Sequence, residues 1–126
     1  MTKATEQFFA SLPARAPEVL RTPVAGTLRI DLSEGHCTEH WLVRMRPGVA
    51  EVDQGAESSD ATWYCGVDLF DRLVTGRAHA IAAVFRNEST FRGNVVLFLA
   101  FRRFLPSAPA TRDPREVARE HARWTR

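Results

Sequence analysis

The sequence contains few cysteines and no long apolar run, and each shortage narrows the class of protein. Its two cysteines, Cys37 and Cys65, form no CxxC pair and lie far apart, which favours reduced thiols in a cytoplasm over a disulfide framework. The N-terminus has no apolar run behind a basic start, so we expect no signal peptide. The longest apolar run, residues 95–101, is far shorter than the roughly 20 residues of a transmembrane helix. We therefore predict a cytoplasmic protein without a transmembrane segment.

Lysine is almost absent, because Lys3 is the one lysine among 17 basic residues. Codon bias in a GC-rich bacterial genome explains this most simply. The alternative is that arginine serves anion recognition, because its planar fork binds carboxylate or phosphate with two hydrogen bonds. The arginines are spread over the whole chain, so the sequence predicts no nucleic-acid partner.

Catalytic and cofactor motifs are also missing, since no GxSxG, Walker-type loop, GxGxxG or HExxH occurs. His36 and His40 bracket a segment that contains metal-ligand residue types, but the alternation around it indicates a strand. Four strand residues span about 13 Å, too far for two imidazoles to share one zinc ion. Nothing near Cys65 in sequence resembles a base that would activate its thiol. We expect no metal and no cofactor, and the sequence identifies no catalytic residue.

The chain is long enough for one domain, which we place at residues 1–106. Residues 107–126 form a separate linker and C-terminal helix in this division. Asp113 is a good N-cap for that helix, and Pro114 suits its first position.

The first half of the chain reads as a helix followed by strands. Residues 5–12 are apolar at helical spacing, and Pro13 is expected to end that helix. Pro17 opens one more possible turn. Alternating apolar residues over 26–53 predict a meander of three antiparallel strands, and residues 61–65 predict a fourth strand.

In the second half the apolar spacing becomes helical. Residues 69–74 and 80–85 carry apolar stripes, and residues 88–93 read as a short return strand. Asn94 is a good N-cap for a helix over residues 95–105. That helix is apolar nearly all round, so it must be covered or must line something apolar.

Two segments resemble the sterol carrier protein type-two family: Leu-Val-Thr-Gly at residues 73–76 and Arg-Gly-Asn at residues 92–94. The resemblance covers roughly residues 5–105. It implies an α+β fold with a twisted, largely antiparallel five-stranded sheet, helices over one face and an apolar cavity between them. Asn87 replaces a glycine usual in the family, which is tolerable because asparagine enters the left-handed conformation readily. Ser89 replaces a common apolar residue, which predicts a more polar or differently shaped cavity there.

The resemblance implies a protein that binds, and in some members transfers, a fatty acyl chain, sterol or other lipid. A transient contact with membranes and a homo-oligomer are both left open by it. Carried over by position, the cavity-lining residues are Trp63, Leu69, Phe70, Leu73, Ile81, Val84, Phe85, Ser89, Val96, Leu97, Ala100 and Phe101.

Two other functions stay open from the sequence. A small biosynthetic enzyme, of cyclase or isomerase type, could use the same cavity, with Tyr64, Asp68, His79 or His40 as acid–base groups. The C-terminal helix could instead dock on a partner or an anionic membrane. Ligand identity is not readable from the residues.

Overall fold

The structure, a computed structural model, describes residues 3–106 of the 126-residue chain. Five strands and four helices follow one another before a short 3₁₀ turn ends the described part. In chain order they are α1 (Lys3–Val19), β1 (Gly26–Glu34), β2 (Cys37–Arg46), β3 (Val49–Gln54), β4 (Ala61–Gly66), α2 (Val67–Val74), α3 (Ala80–Phe85), β5 (Ser89–Gly93), α4 (Val95–Phe101) and the turn Arg102–Phe104.

The strands form one sheet in the order β3-β2-β1-β4-β5. Strands β1, β2 and β3 make the predicted antiparallel meander, and β5 returns antiparallel beside β4. Only β1 and β4 run parallel, with Ile30 opposite Trp63. The expected α+β class and the largely antiparallel five-stranded sheet are therefore confirmed.

One face of the sheet is packed under the helices, and the register decides which residues it carries. Ile30 lies between Trp41 and Trp63 on neighbouring strands, so the three side chains share this inner face. The next row along β1 places Asp31 between His40 and Tyr64 on the outer face. The inner face joins the helices in one apolar core.

Helix α1 is longer than predicted, because it continues through both Pro13 and Pro17 to Val19. A proline in a helix interior removes a backbone hydrogen bond and costs about 3 kcal/mol. The helix persists because its apolar stripe continues past the first proline, with Leu12 and Ala16 completely buried. Tertiary burial therefore outweighs local propensity, and the prediction that the helix ends at Pro13 was wrong.

The turns between the later elements follow the predicted side-chain chemistry. The Asn94 side chain accepts a hydrogen bond from the Val96 backbone N–H at 3.0 Å, which caps α4 as expected. Asn87 has a φ of +59°, a left-handed conformation that asparagine adopts more readily than most residues. Helix α4 is shorter than the predicted 95–105, because the chain tightens into the 3₁₀ turn after Phe101.

The backbone conformation and close packing at position 93 explain why the Arg-Gly-Asn segment contains a glycine. Its φ is +98°, and a Cβ there would lie 2.5 Å from the Asp60 carbonyl oxygen and 2.8 Å from the Ala61 Cα. Any side chain would push β5 away from the start of β4. Glycine therefore allows the chain to pass from the edge strand into α4 at this point.

Within residues 3–106, no helix is long and apolar enough to cross a bilayer. The predicted C-terminal helix lies outside the described residues, so the division at residue 106 stays a prediction.

Candidate functional site

Aromatic side chains fill the layer between the sheet and the helices. The Phe9 ring stacks on Trp41 with centroids 4.2 Å apart and on Phe70 at 5.4 Å. The Trp63 ring meets Phe98 and Phe70 edge to face, at 5.1 and 5.9 Å. Such aromatic pairs contribute roughly 0.5–1.5 kcal/mol beyond the burial of their area. We call this set, with its aliphatic neighbours, the apolar layer.

The apolar layer contains one buried polar pair, formed by Trp63 and Ser89. The indole Nε1–H of Trp63 donates to the Ser89 hydroxyl at 3.0 Å, and both residues are buried. Without the hydroxyl, the buried N–H would lose its partner at a cost of about 1–3 kcal/mol. This hydrogen bond explains why position 89 holds a serine instead of the apolar residue common in the family: the serine hydroxyl accepts from a large indole in the middle of the layer.

Most of the predicted lining residues lie inside this layer. Ile81 and Val84 are half-buried at its edge and pack against the core. Phe85 and Val96 instead lie at the surface, where they are 82 % and 50 % exposed. The buried members are Trp63, Leu69, Phe70, Leu73, Ser89, Leu97, Ala100 and Phe101.

Helix geometry explains why Phe85 points outward. Helix α3 has only six residues and buries Ala80 and Ala83, which stand three positions apart on one side. Phe85 falls away from that side at the last position of the helix. Since all six residues are apolar, no polar residue in the sequence marks the outward face.

Sequence reasoning missed some members of the layer. Phe9 belongs to the layer because it packs against β2 and α2. These are tertiary contacts, which the local sequence around Phe9 does not reveal. Phe98 and Phe104 are also buried here. The apolar run of residues 95–101 predicted a helix that must be covered, but it did not show that the Phe98 side of that helix faces the core.

An open pocket of about 240 Å³ lies between the loop before α3 and the end of α4. Residues 78–80 form one wall. The other wall consists of Leu105, Pro106 and the two charged residues Arg102 and Arg103. The pocket is not a tunnel through the apolar layer.

His79 combines two roles at this pocket. Its Nδ1 accepts a hydrogen bond from the Ala82 backbone N–H at 3.4 Å and so caps α3. Partial burial, and then the nearby positive charge of Arg102, lower the pKa of the His79 imidazole. Because Nδ1 is the acceptor, the neutral ring has its proton on Nε2, which is available as a donor.

The other candidate acid–base groups do not meet at one site. Tyr64 and His40 lie on the outer face of the sheet, and Asp68 is exposed in the first turn of α2. His40 Nδ1 lies 2.7 Å from the buried Asp31 carboxylate, which also pairs with Arg29. The sheet and the apolar layer separate this outer network from the helices. His40 borders a separate open pocket beside Glu39 and Gln54, whereas His79 borders the pocket at the edge of the layer.

No group of three His, Cys, Asp or Glu side chains suited to a metal ion occurs in the described part of the chain. His40 lies within β2, as predicted, whereas His36 lies in the turn just before that strand. Both cysteines are free thiols, and burial raises the pKa of the Cys65 thiol to about 12.

Comparison with known proteins places this architecture. No family model matches the chain, and no curated protein matches it either. The sterol carrier protein-2 of Aedes aegypti, solved in complex with palmitate, superposes with a TM-score of 0.66 at 17 % identity, covering 84 % of this chain and all of that one. The palmitated SCP2L2 of the same mosquito gives 0.61 at 21 % identity, covering 79 % of this chain and 87 % of that one.

Sterol carrier protein 2 from Yarrowia lipolytica, in its apo form, gives a TM-score of 0.62 at 21 % identity, covering 83 % of this chain and 89 % of that one. At these identities the likeness establishes the architecture. The chain has the sterol carrier protein 2 fold, and the resemblance inferred from residues 73–76 and 92–94 is confirmed at the level of the fold.

Proposed function

We propose that the protein binds one hydrophobic small molecule, such as a fatty acyl chain, a sterol or another lipid, between the sheet and the helices. The observation that carries this proposal is the apolar layer itself, which occupies the space between sheet and helices in a fold shared with palmitate complexes. Family membership is part of the same proposal.

The aromatic rings must yield space when a ligand enters. Each buried methylene contributes about 0.8 kcal/mol, so a palmitoyl chain offers on the order of 11 kcal/mol before any cost is subtracted. Separating an aromatic pair costs about 1 kcal/mol beyond its area. Burial of the chain therefore outweighs the separation of several ring pairs. The short helices α3 and α4, which end in turns rather than long packed segments, are the elements we expect to move.

A matched pair of substitutions on α4 tests this proposal. Ala100 is buried in the layer, whereas Val96 is half exposed on the same helix. Ala100→Phe fills space needed by the ligand, so we expect the dissociation constant of a fluorescent fatty acid to rise about tenfold or more. Val96→Phe should leave it unchanged. Circular dichroism and thermal melting would check that both variants fold.

Native mass spectrometry of the purified protein provides the second readout. We expect saturable binding at one ligand per chain, displaced by unlabelled palmitate. A protein that carries no copurified ligand and shows no saturable binding would contradict the proposal.

The catalytic alternative has less support from the geometry. An acid–base mechanism on a buried hydrophobic substrate needs a titratable side chain within hydrogen-bond reach of that substrate. Tyr64, His40 and Asp68 lie outside the apolar layer, and the buried polar pair of Trp63 and Ser89 does not titrate near neutral pH. His79 borders the open pocket at the edge of the layer, and its Nδ1 already accepts the Ala82 backbone N–H. Binding without catalysis is the function that this arrangement favours.

We also propose that the protein exchanges its ligand during a brief contact with anionic membranes. Between residues 72 and 106 there are six arginines and one acidic residue, Glu88, a net charge of +5. Phe85, on α3, is the most exposed large apolar side chain among the described residues, and Arg86 follows it directly. Exposed apolar groups beside arginine suit the boundary between lipid headgroups and acyl chains.

Vesicle flotation tests this contact. Phe85→Ser should weaken binding to vesicles of phosphatidylcholine with phosphatidylglycerol about tenfold, because one aromatic ring no longer enters the bilayer. Val49→Ser removes a 38 % exposed apolar residue from β3 and should have no effect. Binding that is equal on vesicles without phosphatidylglycerol, or equally weakened in both variants, would refute the contact. A concentration-dependent dimer broken by Phe85→Ser would assign this surface to a second copy instead.

A cytoplasmic location is proposed on the chemistry of the two free thiols, which suit a reducing compartment. Cell fractionation would test it directly.

A further inference from the structure

The pocket between residues 78–80 and the segment after α4 carries two arginines, Arg102 and Arg103, for which no acidic partner occurs within residues 3–106. The ion pairs formed by arginine within residues 3–106 involve Arg29, Arg44, Arg46 and Arg77. Arg102 and Arg103 take part in none of these pairs, although both line the pocket. Two guanidinium groups that share one concave site attract an anion from solution.

The remaining polar group of the pocket adds a neutral donor. His79 uses Nδ1 as an acceptor for the Ala82 backbone N–H, so its Nε2–H is free to donate to a ligand oxygen. Arg102 lies close enough to disfavour a positive charge on the ring. The pocket therefore offers hydrogen-bond donors from three side chains and suits a group that only accepts hydrogen bonds.

The floor of the pocket belongs to the apolar core. Ala80 is a buried member of the core cluster, and Ala78 and Leu105 pack against it. A ligand group held by the arginines would thus have apolar side chains directly behind it. This arrangement suits an amphiphile, because the arginines can bind a charged head and the apolar side chains can contact a hydrocarbon tail.

The surrounding charge supports the same ligand class. Residues 72–106 have a net charge of +5, whereas residues 3–71 have eleven acidic and six basic residues, a net charge of −5. The pocket lies entirely within the basic segment. The field of the molecule therefore concentrates anions at this end of the helical layer.

We propose that this pocket binds the anionic head, a carboxylate or a phosphate monoester, of a single-chain amphiphile whose hydrocarbon tail occupies the apolar layer. The inference rests on the proposed function, because it assigns the head of the same ligand. It adds the side chains that would hold the charged head: Arg102, Arg103 and His79.

The test compares palmitate with 1-hexadecanol, which has the same chain length and no charge. In the variant Arg102→Gln/Arg103→Gln, we expect the dissociation constant of palmitate to rise about tenfold or more, since charge-assisted hydrogen bonds are lost. The dissociation constant of 1-hexadecanol should stay within about twofold. Hexadecyl phosphate should behave like palmitate, whereas inorganic phosphate alone should not displace the fluorescent probe.

A matched variant separates a specific site from the general field. Arg86→Gln/Arg92→Gln removes the same charge from the same segment, and neither residue lines the pocket. We expect it to change palmitate binding by less than about threefold, because exposed charges at a distance are screened by salt. Thermal melting should show that both double variants fold like the parent protein.

The outcomes distinguish the two proposals. If the parent protein binds neither palmitate nor 1-hexadecanol, the proposed function fails and the head-group site fails with it. If both ligands bind but Arg102→Gln/Arg103→Gln weakens them equally or not at all, binding stands and the head-group site is refuted. An equal loss of palmitate binding in the two double variants would also refute the site, since it would reflect net charge alone.

Discussion

Residues 3–71 and residues 72–106 share one core but present different surfaces. The first region contains α1, the four strands β1 to β4 and most of α2, and it has a net charge of −5. The second contains α3, β5 and α4, and it has a net charge of +5. Of the six exposed large apolar residues within residues 3–106, four also belong to the second region: Phe85, Val95, Val96 and Leu99.

We interpret the first region as the framework and the second as the surface that the proposed lipid contact would use. The first region supplies the aromatic stack of Phe9, Trp41 and Phe70 at the centre of the core. The second region covers the sheet with helices that are apolar on their outer side as well. A surface that is both basic and apolar is unusual for a free monomer and suits contact with negatively charged lipid.

The largest expected effect is on the free energy of unfolding, and it compares alanine substitutions of two phenylalanines, one in each region. Phe9→Ala should lower the free energy of unfolding by about 3–5 kcal/mol, because it empties a fully packed position. Phe85→Ala should change it by less than about 0.5 kcal/mol, because that ring is largely in water. Urea unfolding would measure both. A large loss for Phe85→Ala would mean that the ring is covered in solution, and the contrast between the surfaces would fail.

A smaller effect is expected at the join between the regions. Ser89→Ala leaves the buried Nε1–H of Trp63 without an acceptor, so we expect a loss of about 1–3 kcal/mol in the same urea experiment. Ser89→Thr keeps the hydroxyl and serves as the control. If Ser89→Ala is as stable as the parent protein, the hydrogen bond does not hold β5 and β4 together as described.

The smallest effect concerns the two thiols. Cys37 is exposed, whereas Cys65 is buried at the end of β4 with a pKa raised to about 12 by that burial. At mildly alkaline pH, a disulfide reagent should label Cys37 quickly and Cys65 only after unfolding. Because the folded state retains the Cys65 proton, this thiol contributes stability that declines as pH rises from about 9 towards 12. Fast labelling of both thiols would show that the packing around the end of β4 opens readily.

The features of the fold that could be predicted from the sequence are those set by residues close together in the chain. The meander, the glycine and asparagine turns and the cap at Asn94 are short-range features, and the sequence predicted them. The end of α1 was mispredicted because burial of Leu12 and Ala16 overrides the two prolines. That burial depends on strands far along the chain.

The sequence predicted that apolar residues form the site, but not which side of each helix faces the core. The apolar runs over α3 and α4 contain no polar residue that marks their outer sides, so Phe85 and Val96 could not be assigned to the surface. The pocket at Arg102 and Arg103 joins segments more than twenty residues apart. Neither segment alone carries a signal for it.

The central claim is that a lipid chain occupies the layer between the sheet and the helices. Isotope-filtered NMR on labelled protein with unlabelled palmitate tests it most directly, because it reports only short distances between ligand methylenes and protein side chains. We predict contacts to Leu73, Leu97 and Phe101, all buried in the layer. Contacts confined to Phe85 and Val96, or to Tyr64 on the outer face of the sheet, would contradict the claim.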